Sequence, residues 1–390
     1  MRHSTLLLIV LALAACTKTH ESGDIPLPED KPAVPLDGVA RLLSTLPIGT
    51  SQMHEVADAV NSSSGNGYDE EYTMQQLFSA PGAGVGDDSS TKAPGSYETP
   101  LRELIATAVR SQTRASAVNF GDPEEYLAAL SSSDLQIYWP YSEEWDGETL
   151  PVISFDPGDG RDVNTGYALD AAGNIQELLV DEEMARRRPV WVVNRNSDAD
   201  YMSLELLRRQ DPSWGSGSGD IVVRPRAASK GDAEIKTLVV RALAVTRQMD
   251  NWFCGGAEIM FKMGSVENFT ASTDAELKLY NPSITDFMVV VKRSEVGIAQ
   301  ELNAVLVGEW TKDLDRCAFM LLEDDGGPQT KWKCSAVVKW NSKSYGYEVE
   351  IPLNVRDDII WRGQLTRNYF EKSSGKLTSF GDIGVVFEFI

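Results

Sequence analysis

Histidine is almost missing from this chain: of 390 residues only three are His, at positions 3, 20 and 54. A serine or cysteine nucleophile therefore lacks its usual base, and a multi-histidine metal centre lacks its ligands. Positive charge is also scarce. Lys+Arg 36 against Asp+Glu 58 leaves a net charge of -22, the wrong sign for gripping phosphate backbones, so nucleic acid is not an expected partner. There are four cysteines and no Cys-x-x-Cys, which removes zinc ribbons and thioredoxin-like redox pairs. No Gly-x-x-x-x-Gly-Lys loop occurs, and GSGSG at Gly215 to Gly219 has Gly217 where a nucleophile elbow needs Ser. No later run approaches the ~20 apolar residues of a membrane-spanning helix.

What is present begins with an address. Residues 1–16 read MRHSTLLLIVLALAAC: a basic start at Arg2 and His3, an apolar run from Leu6 to Leu13, then small residues before Cys16. This is the layout of a secretion signal, too short to span a bilayer as a mature helix. Leu13-Ala14-Ala15-Cys16 resembles the bacterial lipoprotein lipobox. The resemblance implies that 1–15 is removed, that Cys16 carries lipid as the new first residue, and that the protein is held at the outer membrane, facing the periplasm or the surface. The lipid, not charge, must do the holding. Residues 16–36, with Pro26, Pro28, Pro32 and Pro35, read as an extended tether.

Beyond the tether, 37–130 reads as helical. Val39, Leu42, Leu43 and Leu46 fall at helical spacing, as do Met53, Val56, Ala57 and Val60. Thr99-Pro100 and Asp122-Pro123-Glu124-Glu125 look like helix starts. Residues 131–211 are a strand-rich α+β region, with a hairpin from Tyr167 to Val180 about Asp170. A linker at 212–232 follows. Residues 233–390 alternate apolar and polar positions between Asp, Gly and Asn turns, the pattern of an antiparallel β-sandwich. The expected fold class is α+β.

Few residues suggest chemistry. His54 and Asp58 share a helix face at i, i+4, as in a zinc helix, but the second ligand should be His and no third is evident; a solvated polar face is the simpler reading. Glu143, Glu144 and Asp146 beside Trp139, Tyr141 and Trp145 suit either a sugar-stacking platform or ordinary core and rim aromatics. Asp325-Gly326 favours a two-residue hairpin. Centring the hairpin there sets Phe319 opposite Trp332 and Cys317 opposite Cys334, a disulfide candidate in an exported protein, with Cys254 left free. Three buried reduced thiols are the alternative.

Around that turn stand Asp313, Asp315, Glu323, Asp324 and Asp325, with Asp357-Asp358 further on. An apolar strand running into an acidic turn resembles the C2 family of β-sandwiches, whose loop aspartates bind calcium. The resemblance implies that these five acids form a calcium site at one end of the sandwich; solvated acids in an exposed turn are the competing reading. The whole layout resembles exported bacterial lipoproteins that couple a small helical segment to a C2-like module. The expected function is a lipid-anchored, non-enzymatic binding or scaffolding protein of the cell envelope, with a periplasmic or extracellular protein or glycan as partner. A metal- or carboxylate-dependent hydrolase of peptide or glycan is the alternative. A deep pocket with shifted carboxylates would favour the hydrolase, and an exposed apolar patch would favour binding.

Overall fold

The apolar spacing near the N-terminus becomes two helices in the computed structural model, which describes residues 34–79, 97–111, 121–170, 172–197, 201–211 and 235–390. Cys16, the signal segment, nearly all of the tether and the linker at 212–232 lie outside the described residues. Helices α1 (Leu36–Ser44) and α2 (Thr50–Gly65) bury Val39, Leu42 and Leu43, and Met53, Val56 and Val60. They are joined by α3 (Met74–Phe78), α4 (Leu101–Ser111) and α5 (Pro123–Ser131). Asp122 caps α5 as its sequence suggests, accepting from the N–H groups of Glu124 and Glu125. For α4 the partner differs. The Thr99 carbonyl is taken by Gln52, and the buried Glu55 carboxylate accepts from Leu101 N at 2.7 Å, a negative group at the helix's positive end.

The helical and strand-rich stretches are one body, because a short strand inside the first joins the sheet of the second. Strand β1 (Glu71–Thr73) pairs with β2 (Leu135–Tyr138) in a six-stranded sheet of order β1-β2-β6-β3-β4-β5. The other members are β3 (Val152–Phe155), β4 (Val163–Leu169), β5 (Ile175–Asp181) and β6 (Val190–Arg195), and only β3 and β6 run parallel. Alternation along β6 sends Trp191 and Val193 into the helix-covered face. It sends Val190 and Val192 to the opposite face, where they meet Trp252 and Phe253 from the C-terminal half.

That half is a β-sandwich. One sheet has the order β10-β7-β16-β15, built from β7 (Lys236–Val245), β10 (Gln300–Trp310), β15 (Leu377–Phe380) and β16 (Ile383–Phe389). The other runs β13-β12-β11-β8-β9, from β8 (Ala257–Ser265), β9 (Ser283–Val291), β11 (Leu314–Glu323), β12 (Gln329–Trp340) and β13 (Lys343–Asn354), with β14 (Asp358–Thr366) also paired to β11. Phe319 of one sheet packs on Phe380 and Phe387 of the other at 5.7 Å each, edge to face. The fold is α+β with a C-terminal antiparallel sandwich.

The expected hairpin about Asp325-Gly326 does not form, and the disulfide goes with it. β11 meets β12 only near its start, at Leu314↔Val338 and Arg316↔Val337. From there β8 and β14 take both edges of β11, setting Phe319 opposite Met263 and Gly363 and Cys317 opposite Leu365. Cys334, on β12, faces Val349 of β13 instead. Cys254, Cys317 and Cys334 are all free thiols, and burial pushes the Cys317 thiol well above its ordinary value. Titration of the unfolded, unreduced chain carrying Cys16→Ser should find three reactive thiols; one would show that a bridge forms after all.

Candidate functional site

The two halves meet through loop 246–256, which leaves β7, drives Trp252 and Phe253 into the face of the six-stranded sheet, and returns as β8. Both side chains are essentially unexposed. Trp252 Nε1 donates to the Asp162 carbonyl at 2.9 Å, and Asn194 Nδ2 donates to the carbonyls of Phe253 and Cys254 at 2.9 and 3.0 Å. Asp69 accepts from Gly256 N at 2.8 Å. A Cβ at position 255 would stand 2.6 Å from the same Asp69 oxygen, and φ there is +135°, so this approach requires glycine.

Acids line the seam around the loop. On the helical side Asp69 and Glu70 are buried, and Glu70 Oε1 accepts from Ser142 N and Oγ at 3.1 and 2.9 Å. Burial, then the charges of Asp69 and Glu143, push Glu70 up to about 9, so it is the protonated partner that donates to Glu143. Glu143 ends below its ordinary range: burial is the largest single influence and raises it, but the hydrogen bonds from Glu70, its own backbone and Ser294, together with the charge of Lys292, outweigh burial in sum.

On the sandwich side, ligand atoms of Asp250, Glu258 and Glu323 all lie within 4.8 Å of one another. Glu323 ends β11, is 0% exposed, and neither of its oxygens has a hydrogen-bond donor among the described residues. Burial, then Asp250, Asp325 and Asp358, raise it to about 10. Asp325 is raised to about 7 by burial and by the same acids Asp250 and Asp358. Two ionised carboxylates 4.8 Å apart repel by roughly 3 kcal/mol at an effective dielectric of ~20. Beside this group, Asp324 accepts from Gly326 N and Asn354 Nδ2, at 3.0 and 3.2 Å, and is raised to about 7 by burial and by Asp357.

Of the five acids expected to share a calcium site, the structure gathers Glu323, Asp324 and Asp325 and leaves out Asp313 and Asp315. Those two flank the far end of β11, about 26 Å (Asp315) and about 33 Å (Asp313) from Glu323 by the rise of an extended strand. Asp315 is already paired with Lys339 at 2.7 Å and Arg316 at 3.1 Å. Asp250 and Glu258 take their place. Asp250 is one acid among 58, and Glu258 opens a strand that its neighbours make apolar; only burial marks them out.

His54 is exposed, edge-on to Trp145 at 5.1 Å, and Asp58 accepts instead from the Tyr97 hydroxyl at 2.5 Å. Trp139 and Tyr141 are buried, and Trp139 packs on Trp145 and Trp191. The chain matches no family model, and neither a curated protein nor a solved structure matches it.

The Glu70–Glu143 pair makes a testable demand on stability. Because the folded pKa of Glu70 lies above its unfolded value of about 4.5, the folded state holds the extra proton between those limits. That stability is fully present below about pH 4.5 and drains as pH rises towards 9. Glu70→Gln keeps a donor for Glu143 and should flatten the loss. Denaturant unfolding at several pH values checks this; parallel curves for wild type and variant would refute it.

Proposed function

We propose that the chain is a lipid-anchored envelope protein acting as a non-enzymatic binding or scaffolding module, and that its partner is a protein segment docking on the β4–β5 hairpin. The observation that carries this reading is one exposed apolar face. By strand alternation Val163 and Leu169 of β4 share a face with Ile175 and Leu179 of β5, and their exposures run from 41% to 73%. Helix α1 covers only the middle of that face, where Arg41 lies over the Tyr167 ring at 4.5 Å and reaches Glu177 at 3.2 Å. β5 is also the last strand of its sheet, so its outer edge offers backbone donors and acceptors to an added strand. Apolar side chains beside an open edge suit an extended, apolar peptide segment better than a glycan.

The hydrolase reading draws less support. Two open surface grooves, of about 440 and 470 Å³, are lined by none of the buried seam acids. Anchorage rests on Leu13-Ala14-Ala15-Cys16.

Two variants test the reading. Cys16→Ser should move the protein from the membrane to the soluble fraction, and a mature N-terminus at any other residue would contradict the anchor. Ile175→Asp with Leu179→Asp should leave the unfolding midpoint within a few degrees, since both sites are exposed. The same pair should abolish site-specific photocrosslinks from position 177 to other envelope proteins in intact cells. Unchanged crosslinks in the double variant would overturn the assigned surface.

A further inference from the structure

We infer that Asp250, Glu258 and Glu323 form a divalent-cation site, with calcium the preferred ion, which fastens the middle of loop 246–256 and the start of β8 to the end of β11. The donors are three carboxylates whose ligand atoms already converge to within 4.8 Å, brought from a loop and two neighbouring strands. Convergence alone would be ordinary in so acidic a chain. Glu323 is the independent sign: a carboxylate wholly out of water, both oxygens without a donor, aimed at two further acids. A buried carboxylate in that state is normally compensated by hydrogen bonds, by a cation or by a proton.

Arg293 bears on Asp250 through its charge, and Lys262 lies nearer Asp324 and Asp357, but each also faces other acceptors. Arg293 donates to Glu182 at 3.0 Å and to the Gly255 carbonyl at 3.0 Å, while Lys262 pairs with Asp286 at 3.6 Å. One proton shared between Asp250 and Glu323 would relieve one charge, and would leave Asp325 and Asp358 acting on Glu323. A divalent ion relieves two and satisfies several oxygens at once. All the ligand atoms are carboxylate oxygens, with neither imidazole nor thiolate among them, so the site favours a hard ion over zinc. Their irregular origin suits calcium's flexible coordination better than the strict octahedron of magnesium.

The position gives the ion a consequence. Asp250 stands two residues before Trp252, and Glu258 lies two residues after Gly256, whose N–H holds Asp69. An ion there ties together the chain on either side of Trp252 and Phe253 and so holds the inserted pair against the six-stranded sheet. This inference is independent of the β4–β5 surface.

The test uses the full chain stripped of metal and the metal ions alone. At neutral pH, equilibrium dialysis should find one tightly held calcium per chain. Calcium at about a hundred times its dissociation constant should raise the unfolding midpoint by roughly 3–5 °C over chelator. Glu323→Gln should weaken binding about a hundredfold and abolish the rise. Should that variant fail to fold, Asp250→Asn at a half-buried position should weaken binding at least tenfold. Asp315→Asn, at the far end of β11, should bind as wild type. No calcium bound at millimolar concentration, or full affinity in both Glu323→Gln and Asp250→Asn, would overturn the site.

Discussion

The insertion of Trp252 and Phe253 into the six-stranded sheet is the contact on which the rest of the molecule depends. Without it, Tyr138, Val152, Val190 and Val192 would present an apolar sheet face largely to water, since the one-turn helix Glu182–Ala185 brings just Ala185 and Met184 to that face. The helices on the opposite side cannot serve both faces, because β6 alternates its side chains between them. Burying the pair forces loop 246–256 deep between the halves, and the polar backbone that follows must find partners there. Asn194 and Asp69 supply them, and the Asp162 carbonyl takes the indole N–H of Trp252. The acids of the seam are thus a consequence of closure: once the halves dock, carboxyl groups that would face water face one another.

That arrangement explains why the seam's carboxyls depart so far from ordinary behaviour while the exposed ion pairs matter little. Arg110 with Glu124, and Arg195 with Asp134, sit in water and contribute at most modestly. Glu70 and Glu323, each excluded from solvent, are held towards the protonated form by burial and by neighbouring acids. The docked state of the halves is therefore responsive to protons on the helical side and, on the inference above, to a divalent ion on the sandwich side.

Much of the architecture is legible in the sequence, because period and punctuation are local. The helices around Leu42 and Val56 and the long strands after residue 235 follow from spacing alone. What escapes is decided by competition between distant segments. β1 is three residues long, Glu71-Tyr72-Thr73, and joins a sheet whose next strand begins more than sixty residues later. The Asp325-Gly326 turn is a sound local signal, yet β8 and β14 outcompete β12 for β11, and the paired cysteines vanish with that register. The acid cluster was half visible: Glu323, Asp324 and Asp325 stand out beside a turn, whereas Asp250 and Glu258 become special only when the loop folds under.

Calorimetric unfolding of wild type beside Trp252→Ala tests most directly whether this insertion makes one cooperative unit of the two halves. Truncating a buried Trp costs about 3–5 kcal/mol through lost packing alone. If the loop couples the halves, wild type unfolds in a single transition and the variant in two, with the sandwich retaining the higher midpoint. A single transition in both proteins, merely lowered in the variant, would contradict the account.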